Sequence, residues 1–190
     1  TAGFLTLSFV GFLDSGVRGA TLAFLPFLME DKGMSEPQMF GMLILMLAGG
    51  AAGKLACGRL ADRIGTMAVI WSTKGLAAVL IFVAPQTPTL VLLPLVVILG
   101  FGLNGTSSVL YATVASFVSP HRRSRMYGYF YTTNEGGGFV IPLVIGRIAD
   151  LASLRYGIGI LAFATALILP TSLPLRHHLK HELPRRNRTS

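Results

Sequence analysis

The sequence predicts an all-α membrane protein of six transmembrane helices, and three observations point there. Apolar residues make up 52% of the 190 and charged residues only 13%, whereas a domain folded in water usually has about a quarter of its residues charged. The mean hydropathy is +0.64. The apolar residues also gather into stretches of the length, about 20 residues, that crosses a hydrocarbon core of about 30 Å at about 1.5 Å per residue. No stretch alternates residue by residue, so the strand pattern of a membrane barrel is excluded.

The first stretch covers residues 4–28 and leads into an acidic connection with Glu30, Asp31, Lys32, Gly33, Glu36 and Pro37. The second, 38–58, carries Gly49 and Gly53 four apart beside Ala48, Ala52 and Ala56. Such rows let helix backbones approach where lipid supplies no hydrophobic drive to association. Cys57, the one cysteine, excludes a disulfide framework within the chain and reads as a small packing residue. A basic connection with Arg59, Asp62 and Arg63 precedes the third stretch, 67–84. The uncharged residues 85–89 lead to the fourth, 90–118, which is overlong; Pro94, suited to a first turn, marks a candidate later start. Residues 119–125, with His121, Arg122, Arg123 and Arg125, form a strongly basic connection. The fifth stretch, 127–149, places Gly138 and Gly146 either side of Pro142, and a mixed connection with Arg147, Asp150 and Arg155 precedes the sixth, 154–175. Residues 1–175 thus make one bundle and 176–190 a basic tail.

The charges orient the bundle. With the second connection, the fourth connection and the tail in the cytoplasm, ten Lys and Arg residues lie inside and three outside. The three are Lys32, Arg147 and Arg155. Basic residues retained inside set topology, so both termini are expected in the cytoplasm, in the plasma (inner) membrane, with Trp71, Tyr127 and Tyr129 near the inner interface. The net charge of +8 is confined to connections and tail rather than spread along a face, which excludes a nucleic-acid partner. There is no basic stretch before the first apolar run, so no secretory signal is read there.

Between the second and third stretches runs Gly58-Arg59-Leu60-Ala61-Asp62-Arg63-Ile64-Gly65. Gly58, Asp62, Arg63 and Gly65 resemble the cytoplasmic loop signature of the major facilitator superfamily. Gly65 permits a tight turn, Asp62 can cap the next helix or pair with a base, and Arg63 anchors at the interface. The family pattern continues with two basic residues; Thr66 and Met67 stand here instead. That departure, the first residue Thr1 and the basic tail favour the C-terminal half of a twelve-helix carrier. The basic residues 120–125 and the Gly138, Pro142, Gly146 spacing are similar to the fourth connection and fifth helix of such a half. The resemblance implies a carrier working by alternating access around a central site, with a small solute, the bilayer and either a missing N-terminal half or a second copy as partners.

Ionisable groups at membrane depth are costly and usually serve a path or a partner. Asp14 and Arg18 lie one turn apart in the first stretch and either pair with each other or face a cavity. With Gly11 and Thr21 they share one helix face. Tyr131, Asn134 or Glu135, and Gly138 share a face of the fifth, and Asn104, Ser108 and Tyr111 one of the fourth. These three faces are expected to line one path. Asp14 or Glu135 is expected to carry a coupling proton, and Arg18 to hold an anionic group of the solute. Asn104 and Ser108 have a blander alternative, bonding to helix carbonyls. Lys74 and Lys54 read as long stems snorkelling to the inner interface.

No Gly-rich phosphate loop with Lys and Ser or Thr is present, nor a Ser-His-Asp arrangement or metal cluster in the spans. His177, His178 and His181 read as part of a solvated tail. The expectation is a transporter that is not an enzyme and needs no cofactor or metal. The rival is a membrane sensor or assembly protein with the same fold that moves nothing.

Overall fold

A computed structural model describes residues 2–179, and among them every regular element is helical. The long helices are α1 (Ala2–Asp31), α2 (Glu36–Ile64), α3 (Thr66–Val83), α4 (Thr89–Val114), α5 (Arg123–Leu151) and α6 (Leu154–Thr171), followed by a short α7 (Leu173–Leu179). Single 3₁₀ turns occupy Ala84–Gln86, Ala115–Phe117 and Pro120–Arg122. The tail residues Lys180, His181, Arg185, Arg186 and Arg188 lie outside the described residues, as do the side chains of His177 and His178.

The breaks between helices have local causes. Gly33 ends α1 with φ +74°. Ser35 starts α2, its N–H donating to the Gln38 side chain at 2.9 Å, with Pro37 in the first turn, where its missing N–H costs nothing. Gly65 alone separates α2 from α3, with φ +91°. Its N–H donates to the Ala61 carbonyl at 3.0 Å and its own carbonyl accepts from Val69 at 3.3 Å. One residue therefore closes one helix and opens the next, in a backbone conformation that a side chain would strain.

The helices do not stop where the apolar stretches stop. α2 runs on to Ile64 and takes Gly58 to Arg63 into its last turns, because charged residues beyond the hydrocarbon remain good helix formers. α4 starts at Thr89 rather than at Pro94. The Pro88 carbonyl accepts from Val91 and Leu92 at 3.0 Å each, and Pro94 is absorbed close to the helix start. α6 stops at Thr171, after Pro170, and Pro174 sits in the first turn of α7.

Four segments, Glu36–Ile64, Thr66–Gln86, Thr89–Phe117 and Leu154–Arg176, are long and apolar enough to cross a membrane. The sequence predicts six such spans. α1 and α5 have the length, at 30 and 29 residues, but not the hydropathy, because they carry Asp14, Arg18, Asn134, Glu135 and several glycines.

Two helix pairs hold the bundle through glycine. On α2 and α4, a Cβ added at Gly49 would sit 2.1 Å from the Val97 carbonyl oxygen, and one at Gly100 would sit 2.0 Å from that of Met46. Gly53 meets Phe101, and Gly105 meets the buried Cys57. On α1 and α5, a Cβ at Gly137 would lie 2.0 Å from the Phe12 carbonyl oxygen, Gly16 faces Ile141, and Gly19 faces Gly138. In both pairs the residue numbers rise together, so the paired helices run parallel. α3 packs on α4 and α6, and α1 also meets α6. Lys32 ties the first connection to the third, donating to the Pro85 and Thr87 carbonyls at 2.9 and 2.8 Å. Trp71 ties α3 to the end of α6 through Ser172 at 3.0 Å.

Candidate functional site

Asp14 lies about 18 Å along α1 from Ala2 at about 1.5 Å per residue, near the middle of the helix. Its side chain is wholly buried and pairs at 2.5 Å with the ammonium of Lys74, which is equally buried. Neither carboxylate oxygen takes a hydrogen bond from any other described group. Lys74 also donates to the Leu103 carbonyl of α4 at 3.1 Å. The lysine therefore does not snorkel. It stands on the inner face of α3 with Ile70, Thr73 and Ala77, all buried, so its stem points between helices. The carboxylate of α1 supplies the counter-charge that makes this burial tolerable. Asp14 and Arg18 accordingly do not form the intrahelical pair.

Arg18 is half-buried. Its guanidinium folds back one turn and donates to Ser15 at 3.0 Å, the direction that helical side chains take. No described carboxylate lies within ion-pair distance of it. Glu135, also half-buried, accepts from Asn134 at 3.3 Å and has no cationic partner among the described residues. The Asn134 amide stands 3.5 Å from the Tyr111 hydroxyl, at the edge of hydrogen-bond reach. Tyr111 meets Phe130 edge-on at 5.1 Å between ring centroids and Tyr131 at 6.5 Å. Four of the residues that the sequence singles out, Tyr111, Tyr131, Asn134 and Glu135, thus meet where α4 and α5 face each other, while Asp14 turns to α3 and Arg18 to Ser15 of its own helix.

Close backbone approach makes this possible. Gly11 admits the Phe130 ring and the Asn134 side chain against α1, and Gly138 leaves room for the Ser15 hydroxyl. Toward the N-terminal ends of the same two helices an open groove of about 740 Å³ is walled by Phe4, Phe9, Phe12, Met126, Tyr129 and Thr133, with Ser8 also lining it. The buried Ser8 hydroxyl has no hydrogen-bond partner among the described residues.

Asn104 and Ser108 are placed elsewhere, at the contact of α4 with α2. The Asn104 amide donates to the Gly100 carbonyl at 3.2 Å and lies where a Gly50 side chain would be. The Ser108 hydroxyl has the Gly105 and Lys54 carbonyls at 3.0 and 3.2 Å. Thr106 joins Thr73 of α3 at 2.9 Å. Of the loop signature, Gly58, Asp62 and Arg63 ride on the end of α2, and Gly65 makes the turn described above.

The pattern of helices and the glycine turn between α2 and α3 have a counterpart among known families. A comparison with protein families matches the Major Facilitator Superfamily over residues 7–189. The chain belongs to that superfamily. No curated protein matches it closely enough to count as a relative. Membership makes it a membrane protein of a transporter family, whose members move solutes rather than catalyse reactions. For a facilitator protein the separation seen here matters: one acid–base pair is buried between α1 and α3, while Arg18 and Glu135 make no ion pair with another described residue.

Proposed function

We propose that this chain is one six-helix half, the C-terminal one, of a secondary active carrier for a small anionic solute, coupled to protons. The observation that carries the reading is the contrast between Asp14, whose charge Lys74 already balances, and Arg18 and Glu135, which have no charged partner among the described residues. An uncompensated cation and carboxylate at membrane depth are costly unless a path or a ligand uses them. Arg18 binds the anionic group of the solute by a charge-assisted hydrogen bond. Tyr111 and Tyr131 offer ring faces beside it. Glu135 gains and loses the coupling proton, with Asn134 holding its carboxylate in place.

All six long helices cross the membrane in this reading, with both termini in the cytoplasm. The lower hydropathy of α1 and α5 is what helices facing an aqueous path require. Alternating access follows if this bundle rocks as a unit against a partner half, and the close glycine contacts of α1–α5 and α2–α4 support such a rigid unit.

The test is uptake by the full-length protein in proteoliposomes, using small carboxylates and phosphate monoesters against their neutral amides and alcohols. Saturable uptake of an anion, lost in Arg18→Leu, is expected. Saturable uptake of neutral solutes that Arg18→Leu leaves intact overturns the anion reading, and a full-length protein that moves none of the panel favours the sensor or assembly role.

A further inference from the structure

Within one helix, an Asp four residues before an Arg is placed to capture it, because the two side chains are neighbours and the order suits the helix dipole. Asp14 and Arg18 have that spacing and order. The Arg18 guanidinium even folds back to the level of Ser15, one residue from Asp14. The carboxylate nevertheless faces the other way, to Lys74. Something must hold it there.

We propose that Lys74 is a positioning residue that keeps Arg18 free by engaging Asp14. The inference rests on the anion site proposed at Arg18 and gives its lysine neighbour a distinct duty. Lys74, as fully buried as Asp14, is anchored from the far side by the Leu103 carbonyl of α4, so its ammonium is held by α4 and α1 together. With its charge matched, Asp14 exerts little pull on the guanidinium, which the Ser15 hydroxyl then suffices to orient. Ser15 is itself buried, against α5 at Gly138. Remove the lysine and the carboxylate is left unbalanced in a dry setting, with Arg18 the nearest cation on its own helix. The binding cation is then neutralised from within. Remove both members of the pair and nothing competes for Arg18.

This account makes the two members of the pair unequal, which a simple structural staple does not. The readout is labelling of Arg18 by phenylglyoxal, a neutral guanidine reagent, in membranes holding the full-length protein, quantified by mass spectrometry of the Arg18 peptide. No solute is needed, so failure here is separable from failure of the anion reading, which the uptake panel decides. Lys74→Met is expected to lower labelling at least about tenfold, the scale of one charge-assisted hydrogen bond. Asp14→Asn and the double variant Asp14→Asn/Lys74→Met are expected to label as the unmodified protein does. Equal losses in both single variants, with no recovery in the double, or undiminished labelling in Lys74→Met, overturn the proposal. Should Lys74→Met fail to accumulate, Asp14→Asn decides alone: unchanged labelling supports the proposal, and a rise shows that Asp14 already holds Arg18.

Discussion

The pairs α1–α5 and α2–α4 are built alike and used differently. Both are parallel helix pairs in which glycine lets one backbone press on the carbonyls of the other, with a would-be Cβ about as close at Gly137 as at Gly49 or Gly100. In α2–α4 the polar side chains turn inward to helix carbonyls, as Asn104 and Ser108 do. In α1–α5 two of them, Arg18 and Glu135, carry ionisable groups that are half-buried and bond only to neutral side chains among the described residues. The difference also shows in hydropathy, since α2 and α4 have the mean hydropathy of a membrane span and α1 and α5 fall below it. Close packing is thus a shared means of assembly, and polarity separates the pair that only packs from the pair proposed also to meet the solute.

That comparison can be broken most forcefully at the charges. Arg18→Leu is expected to weaken anion uptake by about ten- to a hundredfold, the worth of a charge-assisted hydrogen bond, while Asn104→Ala in the other pair leaves the solute's apparent affinity within about threefold. A loss in Asn104→Ala as large as that in Arg18→Leu, measured in the same concentration series, would erase the division of labour.

Packing gives the next largest effect, and here the pairs should behave alike. Gly49→Ala, Gly100→Ala and Gly137→Ala each push a methyl group into a facing carbonyl and are expected to destabilise the protein by about 1–3 kcal/mol, read as reversible unfolding in mixed micelles. Gly75→Ala and Gly136→Ala, where nothing stands within 4 Å, should be neutral or stabilising by up to about 1 kcal/mol. Equal costs at all five positions would mean that helix approach is not what the glycines provide. The smallest effect is at the rim: Trp71→Phe loses the bond to Ser172 and should cost about 0.6 kcal/mol, without touching uptake.

How much of this was legible in the sequence follows from what periodicity can see. Spacing within one helix singled out Gly49 and Gly53 as an approach surface, and it set Asp14 and Arg18 on one face. It also reached Glu135, because a carboxylate deep in a long apolar run stands out by itself. It missed the partner of Asp14. Lys74 is 60 residues away on another helix, and the general rule for a lysine near a helix end, that its stem reaches the interface, pointed outward. The one available signal was the charge balance: a lysine and an aspartate at similar depth on odd-numbered helices. The polar face of α4 shows the converse limit. Asn104, Ser108 and Tyr111 do follow one another at helical spacing, but they face a turning seam, the first two toward α2 and the third toward α5. Helix ends escaped for a simpler reason, since hydropathy marks where lipid ends and not where hydrogen bonding does.

The central claim is that Glu135 is the working carboxylate and Asp14 is not. It is tested most directly by proton movement in proteoliposomes holding Glu135→Gln, with a transported anion added and a pH gradient imposed. The account predicts that the variant still exchanges solute across the membrane but no longer accumulates it against a gradient, and that its flux loses its dependence on pH. Accumulation with unchanged pH dependence in Glu135→Gln would contradict it.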